Sequence, residues 1–140
     1  MQHNWFAQSG GGLLASMWLV YPIKVALMKP TFVPDRDNQL TWSDIKAQEI
    51  VPSAPYVLGG ALLANKSKFY DAPADRVMMI ADDTVWGPGF TADAAFAVVY
   101  DSGSAQPLWS LVDFEGTKSV VNGTLTIDWA SIGIVFAQAI

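Results

Sequence analysis

The sequence predicts an all-β fold: an antiparallel β-sandwich, Ig-like or jelly-roll-like, of about eight or nine short strands behind an N-terminal arm and short helix. Three observations lead there. Short apolar runs recur at spacings of roughly 8–12 residues with turn residues between them. Prolines such as Pro22, Pro30, Pro52 and Pro55 fall in the connections and not in strand centres. The stretch from Asp93 to Trp129 reads as consecutive strands, because Leu125, Ile127 and Trp129 alternate with Thr124, Thr126 and Asp128 and so separate an apolar from a polar face. Within it, Asn122-Gly123 lies between Val120-Val121 and Thr124-Leu125 and predicts a hairpin turn, since both central turn positions need φ > 0.

A chain of 140 residues is most simply one folded domain, here residues 22–140, preceded by an arm and short helix over residues 1–21. The aromatic pair Trp5-Phe6 precedes the flexible run Gln8 to Gly12. Leu14, Met17, Trp18 and Tyr21 then fall at helical spacing before Pro22. That helix is either a docking element for a neighbouring subunit or a lid closing one end of the β core. Ile23 to Lys29 alternates as a half-buried first strand that Pro30 stops. Thr31 to Gln39 is a solvated turn; its Asp35, Asp37 and Asn38 lack the glycine and terminal Glu of a calcium loop. Thr41 to Val51 is ambiguous between a short helix and an edge strand.

Tyr56 sits in a loop-rich passage bracketed by Pro52, Pro55 and Gly59-Gly60, where the glycines permit positive φ or close backbone approach. Ala61 to Tyr70 reads as one strand with a wet far end. Arg76 to Ala81 is a strand, Asp82-Asp83 a polar corner, Thr84 to Trp86 another short strand, and Gly87-Pro88-Gly89 a turn. Ala94 to Tyr100 is apolar on both faces, as a central strand requires. Leu108 to Phe114 continues the pattern, and a last run, Ile132 to Ile140, carries a bulge candidate at Gly133.

Composition narrows the chemistry. Hydrophobic residues make up 51% and charged residues 15%, which suggests apolar surface covered by a partner. Eight basic against 13 acidic residues give a net charge of -5, which disfavours nucleic acid, whose binding depends on Lys and Arg. With no cysteine, disulfides, thiolate metal sites and Cys nucleophiles are absent. The start of the chain lacks a basic signal-peptide region and no apolar run approaches ~18 residues, so no membrane partner is expected. The sole histidine, His3, lies in the arm, so neither a Ser-His relay nor a zinc site is expected, and no cofactor. The pairs Asp82/Asp83 and Asp113/Glu115 read as turn-forming acids and not as a glycosidase pair. Asn65-Lys66-Ser67 and Asn122-Gly123-Thr124 match the glycosylation pattern but read as turn residues. Trp86, Trp109 and Trp129 read as core. The candidate partner-binding residues are Trp5, Phe6, Leu14, Met17 and Trp18, because interfaces enrich aromatics and an arm can bury them only on something else.

Taken in order, Lys24-Val25-Ala26-Leu27, Pro34-Asp35, Tyr56 with Gly59-Gly60-Ala61-Leu62, Asp82-Asp83-Thr84-Val85-Trp86, Ala97-Val98-Val99-Tyr100-Asp101, Pro107-Leu108, Asp113-Phe114, Ile127-Asp128-Trp129 and Gly133-Ile134 resemble small all-β virion proteins of tailed bacteriophages associated with capsid decoration. The likeness spans about residues 20 to 136 and departs from the pattern at the glycine hinge and Trp-rich arm. It implies a non-enzymatic virion structural protein without catalytic residues, most simply a capsid decoration (cement) protein on the capsid surface, assembled in the host cytoplasm. Its partners would be the major capsid protein and copies of itself as a homo-oligomer. A neck or tail component and a carbohydrate-binding adhesion module on the virion are the alternatives.

Overall fold

The computed structural model describes residues 18–73, 76–103, 105–129 and 134–138, and the fold is mostly β with antiparallel sheets. Its strands are β1 (Ile23–Met28), β2 (Ala61–Leu62), β3 (Ser67–Asp71), β4 (Arg76–Ile80), β5 (Thr84–Asp101), β6 (Leu108–Ile127) and β7 (Ile134–Gln138). The seven strands among the described residues are fewer than the sequence suggests, because several expected short strands are joined into β5 and β6, of 18 and 20 residues. The chain divides into two compact units.

The larger unit comprises Pro22–Leu63 and Thr84–Ile127 and holds a four-stranded sheet in the order β2-β1-β5-β6. β1 pairs along its whole length with β5, from Ile23 opposite Asp101 to Met28 opposite Phe96. Five of its six residues are buried, so β1 is a central strand with both faces covered, not the half-buried strand that its alternation suggests. Ala26, Met28, Val98 and Tyr100 form one core cluster with Phe32, Trp42 and Ile45. Trp42 stacks on Tyr100 with ring centroids 4.4 Å apart and planes at 5°, and Phe32 meets Phe96 edge-on at 5.6 Å. Each such large side chain removed from water contributes about 1.5–3 kcal/mol.

The ambiguous segment resolves as a helix first and a bridge second. Thr41 and Asp44 form a capping box for α1 (Trp42–Ile45), a 3-10 turn follows over Lys46–Gln48, and Glu49 then bridges to Met28. Trp42 and Ile45, three apart, are the residues this helix buries.

β5 and β6 form one long antiparallel ribbon, and here the structure corrects two expected turns. Thr84 faces Ile127 at one end and Tyr100 faces Leu108 at the other, so Asn122-Gly123 lies inside β6 and Gly87-Pro88-Gly89 inside β5. Trp86 pairs with Leu125 and Phe90 with Gly123, which leaves Gly87, Pro88 and Gly89 opposite Thr124 alone. Asn122 (φ 47°) is an irregularity on the facing strand, its N–H donated to the Thr91 hydroxyl at 2.9 Å. A third irregularity sets Phe114 to Thr117 opposite Ala95, with Glu115 at φ 57° and Gly116 at φ 135°. The residue types that permit a hairpin turn also permit a bulge, because both need positive φ.

The smaller unit comprises residues 1–21, 64–83 and 128–140 and holds a three-stranded antiparallel sheet, β3-β4-β7, with its register shift between Val77 and Met78 of β4. The expected strand from Ala61 to Tyr70 is therefore two strands in different sheets, β2 and β3, separated by a bend at Asn65 (φ 51°). Residues 18–20 are helical and Tyr21 is a bend; residues 13–17 of the expected helix and Gly133 lie outside the described residues. Trp18 and Trp129 are fully buried. The Lys66 ammonium sits 5.7 Å from the centroid of the Trp18 ring and donates to the Tyr21 carbonyl.

Candidate functional site

The larger unit carries an internal polar network and, outside it, an apolar loop. β2 is only two residues long and pairs with Lys24 and Val25, so the rest of that edge of β1 needs other partners. The Ile50 N–H donates to the Leu27 carbonyl at 3.0 Å, and the Leu27 N–H donates to the Tyr56 hydroxyl at 3.1 Å. A side-chain oxygen thus stands where a neighbouring strand would place a carbonyl.

Tyr56 passes its own proton on. Its hydroxyl donates to Glu49 Oε2 at 2.5 Å, and the Gly59 N–H donates to the same oxygen at 2.7 Å. Tyr100 donates to the Gly59 carbonyl at 2.6 Å from β5. Burial raises the Glu49 pKa above its ordinary value, while the bonds from Tyr56 and Gly59 and the nearby Lys24 charge pull it partly back. Tyr56 is raised by burial and by its bond to Glu49, and Tyr100 is pushed up to about 12 by burial and the Glu49 charge. Both phenols therefore stay protonated and act as donors.

Gly60 closes the loop against β1. Its φ is +88°, and a Cβ there would stand 1.9 Å from the Val25 carbonyl oxygen. The close approach expected of Gly59-Gly60 is thus located at Gly60. Outside this anchored segment, Val51, Val57, Leu58 and Leu62 are 73%, 69%, 66% and 60% exposed. They are four of the eleven large apolar side chains exposed among the described residues.

A cleft of about 450 Å³ opens elsewhere in this unit, lined by the apolar Phe32, Ile45, Val98 and Leu111 and by the polar Asp35, Arg36 and Gln39 among others. Trp109 lines it and is only half-buried, so it is not the core residue that its strand position suggests, unlike Trp86 and Trp129.

Of the expected partner-binding residues, Trp5, Phe6, Leu14 and Met17 lie outside the described residues, as does His3, and Trp18 is packed inside the chain. Of the two carboxylate pairs, Asp82 accepts from Asn65 at the corner before β5, whereas Asp113 Oδ1 accepts the Glu115 N–H at 2.8 Å at an irregularity inside β6 and not at the expected turn. Among the described residues no cluster of three metal-binding side chains occurs, and no helix is long and apolar enough to cross a membrane. Glu49 carried no sequence signal of its own, since its partners come from a loop and a distant strand. Comparison with protein-family models, curated proteins and solved structures gave no match.

Proposed function

We propose that this chain is a non-enzymatic structural protein of a bacteriophage virion, a capsid decoration (cement) protein that binds and stabilises the assembled head. The reading takes the antiparallel sheets as parts of an Ig-like or jelly-roll-like β-sandwich. The observation that carries it is the loop of residues 51–62, which displays Val51, Val57, Leu58 and Leu62 while Glu49, Tyr56 and Gly60 hold it from within. Apolar surface on a pre-ordered loop favours docking, because little conformational freedom is lost on contact. The motif order in residues 20–136 supports a phage capsid as the surface docked upon, with the major capsid protein and further copies of this chain as partners. A protein that binds the assembled shell and not its separate subunits stabilises the shell by mass action. In this reading the aromatic arm, with Trp5 and Phe6, adds anchors to the contact.

Heads lacking the protein, mixed with purified chain and sedimented, test the reading. Wild type is expected to co-sediment, and Val57→Asp with Leu58→Asp to lose at least about tenfold in affinity while keeping its β circular dichroism. Equal co-sedimentation of the double variant would remove the loop from the contact.

A further inference from the structure

The described residues include three asparagines, Asn38, Asn65 and Asn122, and their side-chain amides stand in two different settings. The Asn38 amide donates to Asp35 Oδ2 at 2.7 Å, and the Asn65 amide donates to Asp82 Oδ2. A long side chain follows each of them, Gln39 and Lys66. Asn122 differs on both counts. It is exposed, no described residue hydrogen-bonds to its side-chain amide, and the next residue is Gly123.

The ribbon is irregular on both sides of this step. Phe90 pairs with Gly123 and Ala92 with Val120, so Val121 and Asn122 together face Thr91; on the other side Gly87, Pro88 and Gly89 face Thr124. Local opening costs least where regular pairing is interrupted. Asn122 itself stands in the left-handed region, at a φ of 47°, with its own N–H on the Thr91 hydroxyl. Across from it Gly89 leaves the amide uncrowded, since even a Cβ there would lie 3.8 Å from Asn122 Oδ1.

We infer that Asn122 is a site of spontaneous covalent modification, at which the folded chain converts the side-chain amide to a carboxylate through a cyclic imide with Gly123. The Gly123 nitrogen attacks Asn122 Cγ; the new C–N bond forms as the Cγ–Nδ2 bond breaks, and the displaced amide takes the Gly123 N–H proton and leaves as ammonia. Water then opens the imide. Cleavage between Cγ and the ring nitrogen gives aspartate, and cleavage at the main-chain carbonyl gives isoaspartate, with no change of oxidation state. Attack from within the chain is favoured by proximity, and a glycine nitrogen carries no Cβ on its neighbouring carbon to obstruct it. Isoaspartate inserts a methylene into β6 where that strand already has a residue more than β5, so the pairs Phe90–Gly123 and Ala92–Val120 can persist around it. Either product makes the chain one unit more negative. This inference stands apart from the virion assignment.

The test keeps the full chain folded in mildly alkaline buffer, digests samples at acid pH and maps them by mass spectrometry, with isoaspartate read by an isoaspartyl methyltransferase. Chain held in urea supplies the reference rate. Asn122 is expected to convert in the folded chain to both products, with Asn38 and Asn65 at least about tenfold slower. At Gly123, whose φ lies outside the left-handed region, an added Cβ would meet the Val120 Cγ1 methyl at 3.3 Å and the Val121 carbonyl oxygen at 3.6 Å. Gly123→Ala is therefore expected to keep the β circular dichroism and to slow the conversion at least about tenfold. Asn122 remaining intact in the folded chain while it converts in urea overturns the inference, because the ribbon then protects it. So do equal rates at the three asparagines, or conversion without isoaspartate, which would mean direct hydrolysis.

Discussion

At Gly60 the chain has no room for a side chain. The φ of +88° already disfavours one, and the Val25 carbonyl oxygen would lie 1.9 Å from any Cβ. Gly60→Ala is therefore expected to cost at least about 2 kcal/mol in urea denaturation, or to prevent folding of the larger unit. Tyr56→Phe removes a hydroxyl that serves both Leu27 and Glu49, and an expected loss of about 1–3 kcal/mol checks whether the network is closed to water. Glu49 gives the network a pH signature. Its pKa in the folded protein is raised above 4.5, so its contribution to stability is complete below 4.5 and is lost as pH rises through the raised value. Glu49→Gln should flatten the stability–pH profile above pH 4.5; a profile unchanged from wild type would show that the carboxyl titrates alike in both states. The glycine pair was legible in the sequence, because only a few backbone situations call for Gly59-Gly60. Glu49 was not: its burial depends on Tyr56 across a proline loop and on a loop position that Tyr100 fixes from β5.

At the scale of elements, the ribbon of β5 and β6 shows where local reading succeeds and where it stops. The alternation from Thr124 to Trp129 marks its faces correctly, with Ile127 and Trp129 buried and Thr124, Thr126 and Asp128 exposed. Asn122-Gly123 and Gly87-Pro88-Gly89 correctly mark departures from regular strand geometry. Whether such a departure reverses the chain or only bulges it depends on what lies opposite, and Phe90 lies opposite Gly123. That pairing is non-local, so a short-range signal cannot report it. Nuclear Overhauser contacts between Trp86 and Leu125, and between Phe90 and Gly123, are expected; a cross-strand contact between Val121 and Thr124 would restore the hairpin. The close approach also has an energetic consequence. A Cβ on Gly87 would lie 2.5 Å from the Gly123 carbonyl oxygen at a φ of +137°, so Gly87→Ala should destabilise the ribbon by about 1–3 kcal/mol.

For the whole molecule, an apolar fraction of 51% with only 15% charged residues is matched by large apolar side chains left on the surface. The composition made exposed apolar side chains legible; which residues they are was not, because their exposure on residues 51–62 follows from how Glu49, Tyr56 and Gly60 fix one loop. Capsid decoration joins that surface to the motif order along the chain, and it commits to a stoichiometry. Quantitative mass spectrometry of purified virions that carry this chain tests it most directly. A copy number comparable with that of the major capsid protein is the expected result; a handful of copies per particle, or none, would contradict it.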